Sequence, residues 1–336
     1  MNDCIGLDIS KRLIAVHIPK NSLDIEINNN ITGMKKLVSK LKKLYKKEYS
    51  DLIFIFEPTG NYSCVLTKFC HTQKIKCFII NPSQFSNHAK ALGQRVKSDK
   101  IDAQVLSKAL HLARDKEIRI PPYDMVVEEI KELMGYYKFT TKQRVQNSNH
   151  LEALEAKNGS SYAMSDLKKN IKRLKEQEKE IIKKVKDIID SDEKLSQGFD
   201  NITSITGIAE VGGIALLHLF IKYPDANQRE ITSLAGLDPI DRSSGTSIQS
   251  KARISKAGST LYRGSLFLGV LSATRYDENF KQFLDRLIAN GKHTTVAQIA
   301  VMRKMIIIAH SLYKNNKKYD KDLYAKATGR DIWQKI

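Results

Sequence analysis

The sequence predicts an α/β amino-terminal domain, a long helical spacer and a mostly helical carboxy-terminal domain. Three observations predict it. Short apolar or alternating runs, bounded by turn residues, interleave with helical patterns through the first hundred or so residues. From about Val126 to Leu195 the chain is highly charged and shows helical periodicity without a strand signal. From about Asn201 further helical runs are joined by Gly-rich turns. The boundaries fall at 1–122, 123–198 and 199–320, with a tail at 321–336, and Pro121 and Pro122 mark the first change.

The elements follow in order. CIGLDIS, RLIAVHIP and LDIEINN read as a meander of three strands. ITGMKKLVSKLKKLYKKEY places Met34, Leu37, Leu41 and Leu44 at helical spacing, with lysines on the other faces. LIFIFE, ending at Glu57, is a buried strand, the stretch from Tyr62 to Thr72 a helix, and KIKCFIIN a further strand. KSDKIDAQVLSKAL starts the next helix. The order β-β-β-α-β-α-β-α is that of the ribonuclease H-like fold.

In the spacer, Leu167, Ile171, Leu174, Ile181, Val185, Ile188 and Leu195 follow a 4-3 spacing interrupted by Glu178 and Asp192. That is an a/d seam of the coiled-coil kind. The turn near Asn158-Gly159-Ser160-Ser161 folds one long helix back on another. The seam serves equally well for an intramolecular hairpin or for a dimer contact. In the last domain, SITGIAEVGGIALL resembles a helix-hairpin-helix, whose Gly-rich turn can hold a phosphate on backbone N–H groups. The segment from Gly236 to Gly258 reads as a loop, followed by three helical runs ending near Tyr313. Trp333 stands in the tail as a small docking anchor or as an idle residue.

Composition narrows the function. The 336 residues are 41% apolar and 28% charged, which marks a globular chain of about two domains. The formal net charge of +19 implies a polyanionic partner. A membrane role is not expected: no apolar run approaches the roughly 18–20 residues that span a bilayer, and MNDCIGLDIS is no signal peptide. Cys4, Cys64, Cys70 and Cys77 lack CxxC spacing, so reduced thiols are expected ahead of a zinc site at Cys70, His71 and Cys77.

Four acidic residues carry the chemistry. Asp8 lies on the first strand, Glu57 ends another, and Asp99 and Asp102 share one helix face at i, i+3. Carboxylates so placed can converge on hard cations such as Mg²⁺, and phosphoryl transfer uses one or two such ions around the scissile phosphate. Any one of them alone would pass for a solvated carboxylate or a helix cap; four together on this strand order point to phosphodiester chemistry.

GLDIS, EPTGNY and NPSQF…KSDKIDAQVLS, then SITGIAEVGG, LAGLDPIDRSSG and KARISKAGSTLYRGSLF, resemble the DEDD transposases and recombinases of insertion-sequence family 110, which include Piv/MooV-like DNA invertases. The resemblance covers nearly the whole chain. It implies a RuvC-like first domain, a coiled-coil spacer and a transposase domain, with the DEDD tetrad at Asp8, Glu57, Asp99 and Asp102; the expected cofactor is Mg²⁺, two ions per site. It also implies a serine nucleophile before a glycine: Ser244 matches best, and Ser243 is the ambiguity. Lys97, Lys100, Arg242, Lys251, Arg253 and Lys256 are candidate nucleic-acid contacts. Partners implied are donor and target DNA, a structured bridge RNA and further copies of the chain as dimer or tetramer. Lys35, Lys36, Lys40, Lys42, Lys43, Lys46 and Lys47 form a basic face that could follow a phosphate backbone or simply be solvated. The expected setting is cytoplasmic and nucleoid-associated.

The leading expectation is a recombinase working through a serine–DNA intermediate. A RuvC-like nuclease using metal-activated water is the alternative. An actin-like sugar kinase, which also opens on a GLDIS strand, would place Gly-rich adenosine turns late in the chain, but the late glycines sit in the helix-hairpin-helix and the SSG loop. A non-catalytic nucleic-acid-binding protein is disfavoured by the intact tetrad.

Overall fold

A computed structural model describes residues 3–94, 98–244 and 248–322; over 241–244 and 248–252 it is the backbone path that is described. The chain divides into two compact units, Met1–Tyr123 and Asp124–Ile336.

The first unit is a five-stranded mixed sheet clad with helices. Its elements are β1 (Cys4–Ile9), β2 (Leu13–Ile18), β3 (Leu23–Asn28), α1 (Ile31–Tyr45), β4 (Ile53–Phe56), α2 (Cys64–Thr72), β5 (Lys76–Ile79), α3 (Pro82–Ala91) and α4 (Asp99–Ser107). The sheet order is β3-β2-β1-β4-β5, with β1 antiparallel to β2 and parallel to β4. Apolar strands bury both faces. One face packs Ile5, Leu7, Phe54 and Phe56 against Met34, Leu37 and Leu41 of α1 and Leu66 of α2. The other sets Cys4, Ile53, Ile55 and Phe78 against Leu106 and Ala109. The lysines named on α1 and just beyond it are all exposed, as the amphipathic pattern requires. Cys4, Cys70 and Cys77 are buried and Cys64 is exposed; all four are free thiols. Among the described residues no trio of His, Cys, Asp or Glu is gathered tightly enough to grip a metal ion, so the Cys70–His71–Cys77 zinc site has no support.

The second unit is helical apart from one hairpin. It comprises α5 (Met125–Ala156), α6 (Ser161–Asp190), α7 (Glu193–Thr203), α8 (Glu210–Lys222), α9 (Gln228–Leu234), β6 (Pro239–Ser244), β7 (Ile248–Ile254), α10 (Thr260–Tyr276), α11 (Glu278–Ala289) and α12 (Thr294–Asn315). Asn158, at a left-handed φ of 50°, reverses α5 into α6. The two run antiparallel, as Arg144–Glu178 and Lys168–Glu155 ion pairs show. The seam is intramolecular: Leu174, Ile181 and Val185 are buried within the chain. Ile182, Val185 and Ile189 join Ile130 and Met134 of α5 in the same core as Phe199, Phe220 and Met305.

Two expectations change. The stretch 236–258 is not a loop, because β6 and β7 pair within it as an antiparallel hairpin, with an irregular register between Ile240 and Arg242. Its polar, Ser-rich strands are joined by backbone bonds, which leave no apolar pattern in the sequence. Helix α12 is also long and apolar enough, by length and composition, to cross a membrane. Its Val301, Met302, Met305, Ile306 and Ala309 instead lie in the helical core. Trp333 falls outside the described residues.

Candidate active site

Parallel pairing of β1 with β4 runs up to Leu7 opposite Phe56, so Asp8 and Glu57 each follow the last paired residue of neighbouring strands. After Glu57 the chain turns sharply, with Gly60 at φ 51°, a left-handed value that suits glycine. Asn29 ties this turn to the end of β1, its side-chain amide donating to the carbonyls of Ser10 and Tyr62, both at 2.9 Å.

Helix α4 brings the other two carboxylates. Ser98 caps it, its hydroxyl accepting from the Ile101 N–H at 3.4 Å, which puts Asp99 and Asp102 in the first turn. The helix lies directly on β1. A Cβ added at Gly6 would stand 2.6 Å from the Ser107 nitrogen and 3.0 Å from the Ala103 carbonyl carbon. Gly6, two residues before Asp8, therefore admits the helix backbone to the strand. Asp102 is only 8% exposed.

The result is a cluster of like charge. The Asp8 carboxyl is pushed up to about 6, first by burial and then by the charges of Asp99, Asp102 and Glu57, while the Ile9 backbone N–H pulls the other way. The charges of Asp99, Asp102 and Glu57 thus all reach Asp8. Desolvation and mutual repulsion both disfavour the ionised form. A bound dication relieves both, and an all-carboxylate donor set suits a hard cation. The cluster fits such an ion in its donor chemistry, while among the described residues no three such side chains are gathered tightly enough to grip one.

A second network adjoins it. The Asp24 carboxylate on β3 accepts from Lys100 Nζ at 3.1 Å and Gln104 Nε2 at 3.0 Å, both on α4, and meets His17 Nδ1 of β2 at 2.6 Å. Burial works to raise the Asp24 carboxyl, but these hydrogen bonds hold it below the usual carboxylate range. Sequence reading missed Asp24, because its partners lie up to 80 residues away. It missed the task of Gly6 too, although a glycine inside an apolar strand is a signal of close approach.

The serine candidates lie in the second unit. Ser243 pairs with Gln249 and Ser244 with Ile248, so Ser244 is the last residue of β6 before 245–247, which are not among the described residues. The hairpin root is fastened: Arg263 Nη1 donates to the carbonyls of Ala235 at 3.0 Å and Gly258 at 2.7 Å. Ser255 N–H donates to the Asp238 carbonyl at 2.9 Å. Among the candidate nucleic-acid contacts, Arg253 and Lys256 are exposed. Lys100 pairs with Asp24 yet keeps 65% of its side-chain surface. Lys97 and the side chains of Arg242 and Lys251 lie outside the described residues. Between α7 and α8, Gly207 at φ 93° sits against the backbone of Gly269, which fixes the turn.

Two family models match separate stretches of the chain. Residues 5–154 match the DEDD transposase model of the IS110 group, and residues 200–285 match the transposase model of the IS116/IS110/IS902 family. The chain is 27% identical over 328 residues to the pilin gene-inverting protein of Moraxella bovis, covering 95% of this chain and 98% of that one. The pilin gene-inverting protein of Moraxella lacunata aligns with the same identity and coverage.

Proposed function

Since the chain carries both transposase domains of the IS110 family and is a DNA recombinase, we propose that it cuts and rejoins DNA through a serine–DNA ester with a Mg²⁺-bound carboxylate site. The observation that carries the proposal is the convergence on Asp8, at the end of one strand, of the charges of Glu57 at the end of its neighbour and of Asp99 and Asp102 at one helix start. The strand order β3-β2-β1-β4-β5 supports a ribonuclease H-like, RuvC-like reading of the first unit. The functional division remains 1–122 for the carboxylate domain, 123–198 for the spacer, 199–320 for the serine domain and 321–336 for the tail.

In this reading the four carboxylates hold the cation, which supplies Lewis-acid stabilisation of charge at the phosphate. The Ser244 Oγ attacks phosphorus as the P–O bond to one deoxyribose breaks, and the serine proton passes to that leaving oxygen, which departs as a free hydroxyl. A hydroxyl from the partner strand then attacks the phosphoserine and returns the serine, so the phosphoester bond is conserved without ATP. Arg253 and Lys256 stand in the segment that would meet the backbone. The Gly207 turn before α8 is a further phosphate-binding candidate of the helix-hairpin-helix kind. The relatives' name describes inversion of a gene, and the same exchange is inferred for this chain.

Donor and target DNA are the substrates, a bridge RNA the guide, and a dimer or tetramer in the cytoplasm, on nucleoid DNA, the working form. The exposed lysine face of α1 supports an RNA or DNA backbone partner. The α6 seam is consumed inside the chain, so subunit contacts belong to other surfaces.

The test is a denaturing gel of labelled DNA after reaction, with peptide mapping of the adduct. Ser244→Ala is expected to abolish the adduct, Ser243→Ala to reduce it less. An adduct on Ser243 moves the nucleophile by one residue. Cleavage to free ends with no adduct favours the water-using nuclease instead.

A further inference from the structure

Helix α4 carries two of the four carboxylates, so its rotation about its own axis decides whether they face Asp8. At 3.6 residues per turn, successive side chains are about 100° apart. Asp99, Asp102 and Ala103 therefore share one side of the helix, and Ala103 is the residue whose backbone meets Gly6 of β1. Lys100 and Gln104, at i and i+4, share the flank about 100–140° round from Asp99. Both side chains of that flank end on the one carboxylate of Asp24, on β3. Asp24 is in turn held on the sheet by His17 Nδ1 of β2 at 2.6 Å. The contact at Gly6 and the buried Val105 and Leu106 hold the inner side of α4 on the sheet. The Asp24 anchor on its outer flank resists the remaining small roll about that inner side.

We propose that Asp24 is a positioning residue for the acidic cluster: it clamps Lys100 and Gln104 and so fixes the rotation of α4 that turns Asp99 and Asp102 toward Asp8. Asp24 touches neither DNA nor cation in this role. The proposal rests on the reading that the four carboxylates hold a divalent cation. It gives Lys100 a structural task alongside any contact with nucleic acid, and it gives His17 the task of holding the clamp on the sheet.

The experiment is calorimetric titration of Mn²⁺ alone into the full-length protein, with a urea unfolding curve for each variant. Asp8→Asn is expected to lose the ion. Asp24→Ala is expected to bind it ~10–100-fold more weakly, the range for residues that orient metal ligands, and Asp24→Asn, which can still accept from Gln104, to fall between. Wild-type affinity in Asp24→Ala beside a loss in Asp8→Asn overturns the clamp and spares the cation site. A lowered unfolding midpoint in Asp24→Ala with wild-type affinity overturns it as well, since the residue is then only structural. Wild-type affinity in Asp8→Asn overturns the cation-site reading and the clamp with it. Should Asp24→Ala fail to fold, the pair Lys100→Met and Gln104→Leu, which leaves Asp24 and His17 in place, decides by the same comparison.

Discussion

Replacing Gly6 by alanine tests how the carboxylate cluster is assembled, without touching any of its members. The new methyl would clash most with the Ala103 carbonyl oxygen, and would lie 2.6 Å from the Ser107 nitrogen and 3.0 Å from the Ala103 carbonyl carbon. Carbon contacts settle near 3.5–4.0 Å, so α4 must retreat from β1 by at least about 1 Å. Overpacking of this kind costs roughly 1–3 kcal/mol of stability. The larger effect is on geometry. A displacement of about 1 Å at a reacting centre costs on the order of 100-fold in rate. Gly6→Ala is therefore expected to cleave labelled DNA about 100-fold more slowly at saturating divalent ion, with nucleic-acid binding retained. Gly33→Ala is the control. Its methyl would stand 3.0 Å from the Asn28 nitrogen, a similar crowding at the start of α1, on a helix that bears no site carboxylate. It should lower the unfolding midpoint without a matching loss of cleavage rate. A folded Gly6→Ala that cleaves at the wild-type rate refutes the view that α4 must lie on β1 for the site to form. Equal rate losses in both variants would refute it too, by tracing the effect to stability.

Asp8→Asn, Glu57→Gln, Asp99→Asn and Asp102→Asn should each abolish cleavage and leave DNA binding, measured by gel shift, nearly intact; wild-type cleavage by any one removes that residue from the site. Asp8 is held near 6 in the folded chain against an ordinary 3.8, so the folded state takes up the proton first. Without divalent ion its charge costs stability above about pH 6, and the cost is relieved as pH falls from 6 toward 3.8; Asp8→Asn should raise the urea midpoint at pH 8 and leave it unchanged at pH 4. His218 runs the other way: burial first, then Lys222, lower it to about 4 from 6.5, so its contribution is complete above pH 6.5 and is lost as pH falls toward 4. A His218→Gln variant should therefore lose less stability than wild type on acidification. Val185→Asp places a charge at a fully buried position and should abolish the folded helical unit by circular dichroism, whereas a folded monomer would show the seam to be an intersubunit surface. Affinity for nucleic acid should fall with salt at a log–log slope of roughly 0.7–0.9 per phosphate contact, and a flat response would rule out the +19 charge as the determinant.

Local pattern explains what could be read in advance. The meander, α1, the buried strand ending in Glu57 and the helix starting at Asp99 each announce themselves by apolar spacing and turn residues over ten or so positions. The long helices and the reversal at Asn158 were legible for the same reason. What was not legible depends on distant partners. The spacing of Ile181 and Val185 is the same whether they face another copy or the chain's own helices, and Ile130 and Met134 of α5 decide the matter. The hairpin at Pro239–Ile254 is held by backbone pairing between polar residues, so it read as a loop. Asp24 sits in an alternating edge strand like any solvent-facing acid, and nothing near it in sequence announces Lys100 or Gln104.

The distribution of the thiols makes the native chain ready for labelling. Cys64 opens α2, seven positions after Glu57, and is exposed, while Cys4, Cys70 and Cys77 are enclosed by the sheet and its helices. Burial also pushes the Cys4 thiol up to about 11, with Asp3 adding to it, which holds it in the unreactive protonated form. A maleimide fluorophore should therefore attach at one place without any cysteine being removed, reporting from the helix that follows the Glu57 turn. The three enclosed sulfurs then serve as a clock: each reacts only when the sheet around it opens, so the rate at which the second, third and fourth labels appear measures local breathing of the first unit beneath its acidic cluster.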